Sequence, residues 1–188
     1  LDAKGQIRRF LKGTGNSSET IWFDTWISGY HFVFLGGEAA GLHADLSNAQ
    51  LAWLEETLAK DRVEGRPTFL FLHQGLMDTV AGTFQYQNWH GVKQSAQLRR
   101  ILRQYPEVVL FSGHSHWTME SAHTVKPADS SLPSVVSTAS CAYLWDDSCM
   151  ATNVGIVGSE GYYIYLYENC LIVRGRSFDR GEWIGSAQ

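Results

Sequence analysis

The sequence predicts a mixed α/β fold. Between residues 47 and 116, helical apolar spacing alternates with short apolar runs, and each of those runs leads into a histidine-bearing loop. Alternation of this kind builds a layer of helices on a sheet. Near the C-terminus, residues 162–167 and 171–176 form two further strand-like runs that turn at Glu168-Asn169, as a hairpin does. The 188 residues suit one ordinary domain or a large part of a bigger one. Apolar residues make up 44% and charged residues 18%, a balance that excludes disorder, which needs few apolar side chains and many charges.

Taken in order, residues 1–20 are polar and rich in Gly and Ser around Gly13-Thr14-Gly15-Asn16-Ser17-Ser18, which reads as an exposed loop. Residues 21–26 and 30–35 read as two strands joined at Ser28-Gly29. Ser47-Asn48-Ala49-Gln50 has the form of a capping box, and Leu51, Leu54 and Leu58 continue as an amphipathic helix to Lys60. Thr68 to Leu72 is a buried strand stopping at His73-Gln74-Gly75. Residues 77–92 show no clear period and read as a long functional loop. Leu98, Ile101, Leu102 and Tyr105 mark a second helix, with Arg99, Arg100 and Arg103 outward and Pro106 past its end. Val108 to Phe111 is the next buried strand, and residues 134–138 form another. No repeat, low-complexity tract or domain boundary is visible.

Several function classes are excluded. Lys plus Arg is 15 and Asp plus Glu is 19, a formal net charge of −4, which disfavours sequence-independent nucleic-acid binding. No apolar run reaches the ~18 residues of a membrane-spanning helix. Cys141, Cys149 and Cys170 are odd in number and lack CxxC spacing, so neither a disulfide framework nor a structural zinc motif is expected. The first residue is Leu1 and no signal peptide is visible, from which we expect a chain processed or excised from something longer; localisation is left open.

The sharpest local signal is Gly113-His114-Ser115-His116, directly after an apolar strand. Glycine permits close backbone approach, and two imidazoles two residues apart on a turn can converge on one metal or on two adjacent metals. His73 ends the preceding strand of the same layer and supplies a third imidazole in a matching position. Strand ends of this kind are where α/β sheets carry ligands. Gln74, Trp89 and His90 fall on the loop after His73 and are candidates to line a substrate cleft. His31 reads as a sheet residue, and His43 and His123 as solvent-exposed side chains without a partner. Asp146-Asp147 reads as a solvated turn, and Arg174 and Arg176 share one strand face.

These motifs resemble the C-terminal half of the calcineurin-like metallophosphoesterases. Residues 69–74 (FLFLHQ) are similar to that family's strand-plus-His motif, and residues 110–116 (LFSGHSH) to its Gly-His-x-His motif. Residues 46–54 are similar to the helix preceding the first motif, and 161–183 to the tail of bacterial members. The resemblance implies two β-sheets packed as a sandwich and flanked by helices. It implies two divalent ions (Mn, Fe, Zn or similar), with His73 and His114 on one and His116 on the other. The activity implied is hydrolysis of a phosphomonoester or phosphodiester, in which two ions clamp the phosphate and lower the pKa of a bridging water.

The family's earlier motifs, Asp-x-His, Gly-Asp-x-x-Asp and Gly-Asn-His-Asp/Glu, are nowhere in these 188 residues. Three neutral imidazoles cannot compensate two adjacent dications, which need a shared anion. The expectation is therefore a C-terminal portion of a longer enzyme. Alone, it binds at most one ion weakly, is nearly inactive, and self-associates through sheet edges that the absent half would cover. Two other readings stay open. One is a non-catalytic binding or assembly module with vestigial histidines, and the other a single zinc held by His73, His114 and His116.

Overall fold

Successive residues of a strand point to opposite faces of a sheet, and the central strands sort their apolar side chains by this rule. The computed structural model describes residues 3–15, 20–60, 62–87 and 90–185. Strands β1 (Phe23–Ile27), β2 (Tyr30–Phe34), β3 (Thr68–Phe71), β4 (Val108–Ser112), β5 (Val125–Lys126) and β6 (Ser134–Ser137) form one sheet in the order β1-β2-β3-β4-β6-β5. Its interior pairs, β2–β3, β3–β4 and β4–β6, are parallel, and both edge pairs are antiparallel.

On one face, Val33, Leu70, Val108, Leu110 and Val135 meet Leu51, Leu54 and Leu58 of α2 (Asn48–Lys60) and Leu98, Ile101 and Leu102 of α3 (Ser95–Leu102). On the other, Phe69, Val109, Phe111 and Val136 meet a second sheet. That sheet is antiparallel and contains β7 (Glu160–Leu166), β8 (Leu171–Ser177) and β9 (Glu182–Ile184) in that order. It contributes Tyr162, Leu166, Leu171 and Val173 to the shared core. The architecture is thus a mixed α/β sandwich with helices on one outer face. The strands expected at 68–72 and 108–111 form as β3 and β4, adjacent and parallel, with Phe69 opposite Val109 and Phe71 opposite Phe111. Among the described residues no helix is long and apolar enough to cross a membrane.

Three local readings change, and a fourth gains detail. The N-terminal stretch expected as a loop contains α1 (Ala3–Thr14). Ile7, Phe10 and Leu11 recur at helical spacing, and Phe10 packs on Phe23 with ring centroids 6.3 Å apart; Asn16 to Ser18 lie outside the described residues. Only half of the capping box forms. The Gln50 amide N–H donates to Ser47 Oγ at 3.2 Å, while the Gln50 side chain holds Gly36 and Glu38, and Glu38 accepts from Ser47 N–H. The loop expected at 77–92 remains a loop with one short 3-10 turn, and its residues 78–87 are tied together by their own polar side chains. Thr83 Oγ1 accepts from the amides of Thr79 and Val80, and Gln87 Oε1 from those of Gly82 and Phe84. Arg99, expected outward, donates to the Met77 carbonyl. The Ser28-Gly29 hairpin forms as expected, with φ of +52° and +78°, the signature of a type I′ turn.

Candidate functional site

Parallel pairing of β3 and β4 brings the chain segments that follow them to one edge of the sheet. The ladder continues past the strand ends: Leu72 N–H donates to Phe111 O (3.1 Å), Gly113 N–H to His73 O (3.0 Å) and Thr138 N–H to Ser112 O (2.7 Å). Gly113 thereby lies against His73, and a β-carbon there would sit 3.3 Å from Thr138 Oγ1 and 3.8 Å from His73 Nδ1. Next comes a tight turn in which Ser115 N–H donates to Gly113 O at 2.8 Å while His114 has φ +68°. Closure over three residues at positive φ is the rare, strained form of the γ-turn. His116 also has positive φ, +58°. A non-glycine residue held in such a sparsely populated backbone region costs of order 1–3 kcal/mol, and strain of this sort concentrates at functional sites.

This geometry places His114 Nδ1 3.3 Å from His73 Nε2, with the rings edge to face at 5.1 Å. Burial, then the neighbouring charge of His116, lowers the His73 pKa. Burial, followed by His73, His90, His116 and His43, pushes His114 down to about 4. Both rings are therefore neutral at pH 7 and can share one N–H or offer lone pairs to a cation. Two imidazole nitrogens bound tetrahedrally at about 2.0–2.1 Å from one ion lie roughly 3.3 Å apart. The observed separation matches.

His116 stays within electrostatic range of both rings, but its own ring packs on Tyr143 at 4.4 Å. Its Nδ1 is buried and without a hydrogen-bond partner among the described residues. His90 lies against His43, centroids 4.5 Å apart, and both act on His114. Gln74 is buried and donates from Nε2 to the Leu42 carbonyl at 3.4 Å. Trp89 lies outside the described residues. His43 and Tyr143 carry no sequence signal for this site. His43 is brought in because Ala44 bridges to Val92 in parallel and its own Nδ1 donates to the Gly91 carbonyl at 3.2 Å. In the neutral ring that bond leaves Nε2 unprotonated.

Of the seven histidines, five gather here. His31 is a buried sheet residue bonded to Asp24 at 2.9 Å and stacked on Trp26. His123 lies edge-on to Phe84. The nearby carboxylates are engaged elsewhere. Asp146 Oδ1 accepts from Ser148 and Cys149, which holds its carboxyl below the ordinary range, and Asp147 accepts from Gln87. Asp45 is tied to Lys93 and Gln94. Among the described residues no group of three His, Cys, Asp or Glu side chains meets at a point that a metal ion could take. The His73–His114 pair thus offers two imidazole nitrogens to a single cation, and among the described residues no carboxylate stands between them to join a second. Comparison of the chain with protein-family models and with curated proteins gave no match.

Proposed function

We propose that this chain supplies the imidazole half of a metal-dependent phosphoesterase centre acting on a phosphomonoester or phosphodiester, with the acidic ligands contributed from outside residues 1–188. The observation that carries this reading is the His73–His114 nitrogen pair, 3.3 Å apart at the ends of adjacent parallel strands. His73 Nε2 and His114 Nδ1 would hold the cation. When bound, a divalent ion polarises a phosphoryl oxygen and lowers the pKa of a water. The chain's own part is positional: desolvation keeps both imidazoles unprotonated, and the strained turn fixes the direction of the His114 ring. His43 and His90 lie within electrostatic range of His114, so that among the described residues an approaching anion would meet imidazoles there.

Groups that act as a unit fail as a unit. The 188-residue chain alone is expected to hydrolyse p-nitrophenyl phosphate and its bis-ester several orders of magnitude more slowly than a form carrying the acidic ligands, with no more than one zinc or manganese bound. Full activity from the 188 residues, with two ions per chain, would contradict this and point to an acidic ligand set among them. Metal uptake without hydrolysis in any form that carries the acidic ligands would instead favour a non-catalytic binding or assembly module.

A further inference from the structure

Next to the imidazole pair the fold forms a pocket of about 460 Å³, open to solvent on one side, within the range that accepts drug-sized ligands. Its walls are Ile7 and Phe10 of α1, Ile21, and Phe34, Phe71 and Phe111 from three adjacent strands. The three phenylalanines stack in sequence, with centroids 4.9 and 5.4 Å apart and planes within 17° of parallel. They present a continuous aromatic surface. Polar groups border the cavity at the strand ends, where His73, Gly113 and Thr138 line it. On the far side α1 supplies two of the apolar walls, so the chain itself lines both sides. That shape suits a small occupant.

We propose that this cavity takes the apolar portion of an aryl or alkyl phosphoester whose phosphate lies at the His73–His114 pair. The site would thereby discriminate against sugar phosphates, whose hydroxyls would lose hydration against phenylalanine and isoleucine without finding partners. Only the position of the phosphate rests on the phosphoesterase reading. Occupancy by an apolar group is independent of it.

The test uses the 188-residue chain and three probes in titration calorimetry, with and without zinc: 1-naphthol, 1-naphthyl phosphate and inorganic phosphate. Naphthol is expected to bind one-to-one without zinc. With zinc, naphthyl phosphate is expected to bind at least tenfold more tightly than inorganic phosphate. Ile7→Trp and Phe10→Trp, which fill the cavity from α1, should each weaken naphthol about tenfold or more while leaving zinc affinity unchanged. His114→Asn should erase the advantage of naphthyl phosphate over naphthol and leave naphthol binding intact. The proposal is overturned if naphthol does not bind, or if neither filling variant weakens it. It is equally overturned if filling changes the oligomeric state instead, since the cavity is then covered by a second copy. Naphthol binding with no gain from the phosphate would refute the ester while keeping the cavity. Zinc binding without naphthol binding would refute the cavity while sparing the metal reading.

Discussion

His114 is held where most side chains resist being held. At φ +68°, in the centre of a three-residue turn, it pays a backbone cost that asparagine would share. His114→Asn is therefore expected to leave stability at pH 7 within ~1 kcal/mol of wild type, while abolishing zinc binding. Urea midpoints and zinc titration together check this, and a loss of several kcal/mol would show that the imidazole is a packing residue. Such an exchange of stability for function is common at active sites. Glu160 offers a second residue-level test. It is almost fully buried, and burial pushes its carboxyl above the ordinary value of 4.5, against hydrogen bonds from Met119 N–H and Thr118 Oγ1. The folded chain keeps this proton to higher pH than the unfolded chain does. The contribution is fully present below pH 4.5 and is lost as pH rises through the raised value. Relative to wild type, Glu160→Gln should remove this downward slope when melting temperature is followed from pH 4.5 to 7.

At the level of elements, the type I′ turn at Ser28-Gly29 joins β1 to β2, and asparagine is favoured over serine at its first position. Ser28→Asn is expected to stabilise the protein by about 0.5–1 kcal/mol, measured by chemical denaturation; destabilisation would show that the turn is of another type. The hairpin was legible because Ser-Gly between two apolar runs is a local signal. Leu51, Leu54 and Leu58 were legible for the same reason, as were the phenylalanine-rich strands that end at His73 and His114. α1 was obscured by the glycines at 5, 13 and 15, which mask the Ile7–Phe10–Leu11 stripe. β5 and β9, of two and three residues, are too short to show a period. The imidazole pair could be anticipated from two strand ends. The part played by His43 could not, since it depends on a bridge between residues 44 and 92 that no local pattern announces. Likewise, the placement of His116 against Tyr143 follows from packing between distant loops.

For the molecule as a whole, the two sheets do not match in extent: six strands face three. β7 lies at the edge of the smaller sheet, and its Ile164, on the same face as the core residues Tyr162 and Leu166, is still 42% exposed. An exposed apolar edge strand is a template for pairing with another chain. Concentration-dependent self-association is expected in size-exclusion chromatography with light scattering, and Ile164→Lys should shift it toward the monomer. A wild-type chain that stays monomeric at high concentration would remove this expectation.

The two ring nitrogens at the candidate site belong to residues 41 positions apart. Any ion shared between them would therefore act as a removable cross-link. In the chain-entropy treatment used for disulfides, closing a loop of that length disfavours the unfolded ensemble by roughly 4 kcal/mol, less whatever affinity the unfolded imidazoles keep for the ion. Zinc would then protect far more than its two ligands. The β3–β4 pairing, with the α3 crossover between them, should resist proteolysis and amide exchange in its presence and regain both susceptibilities on adding a chelator. The same responses should be missing from His114→Asn.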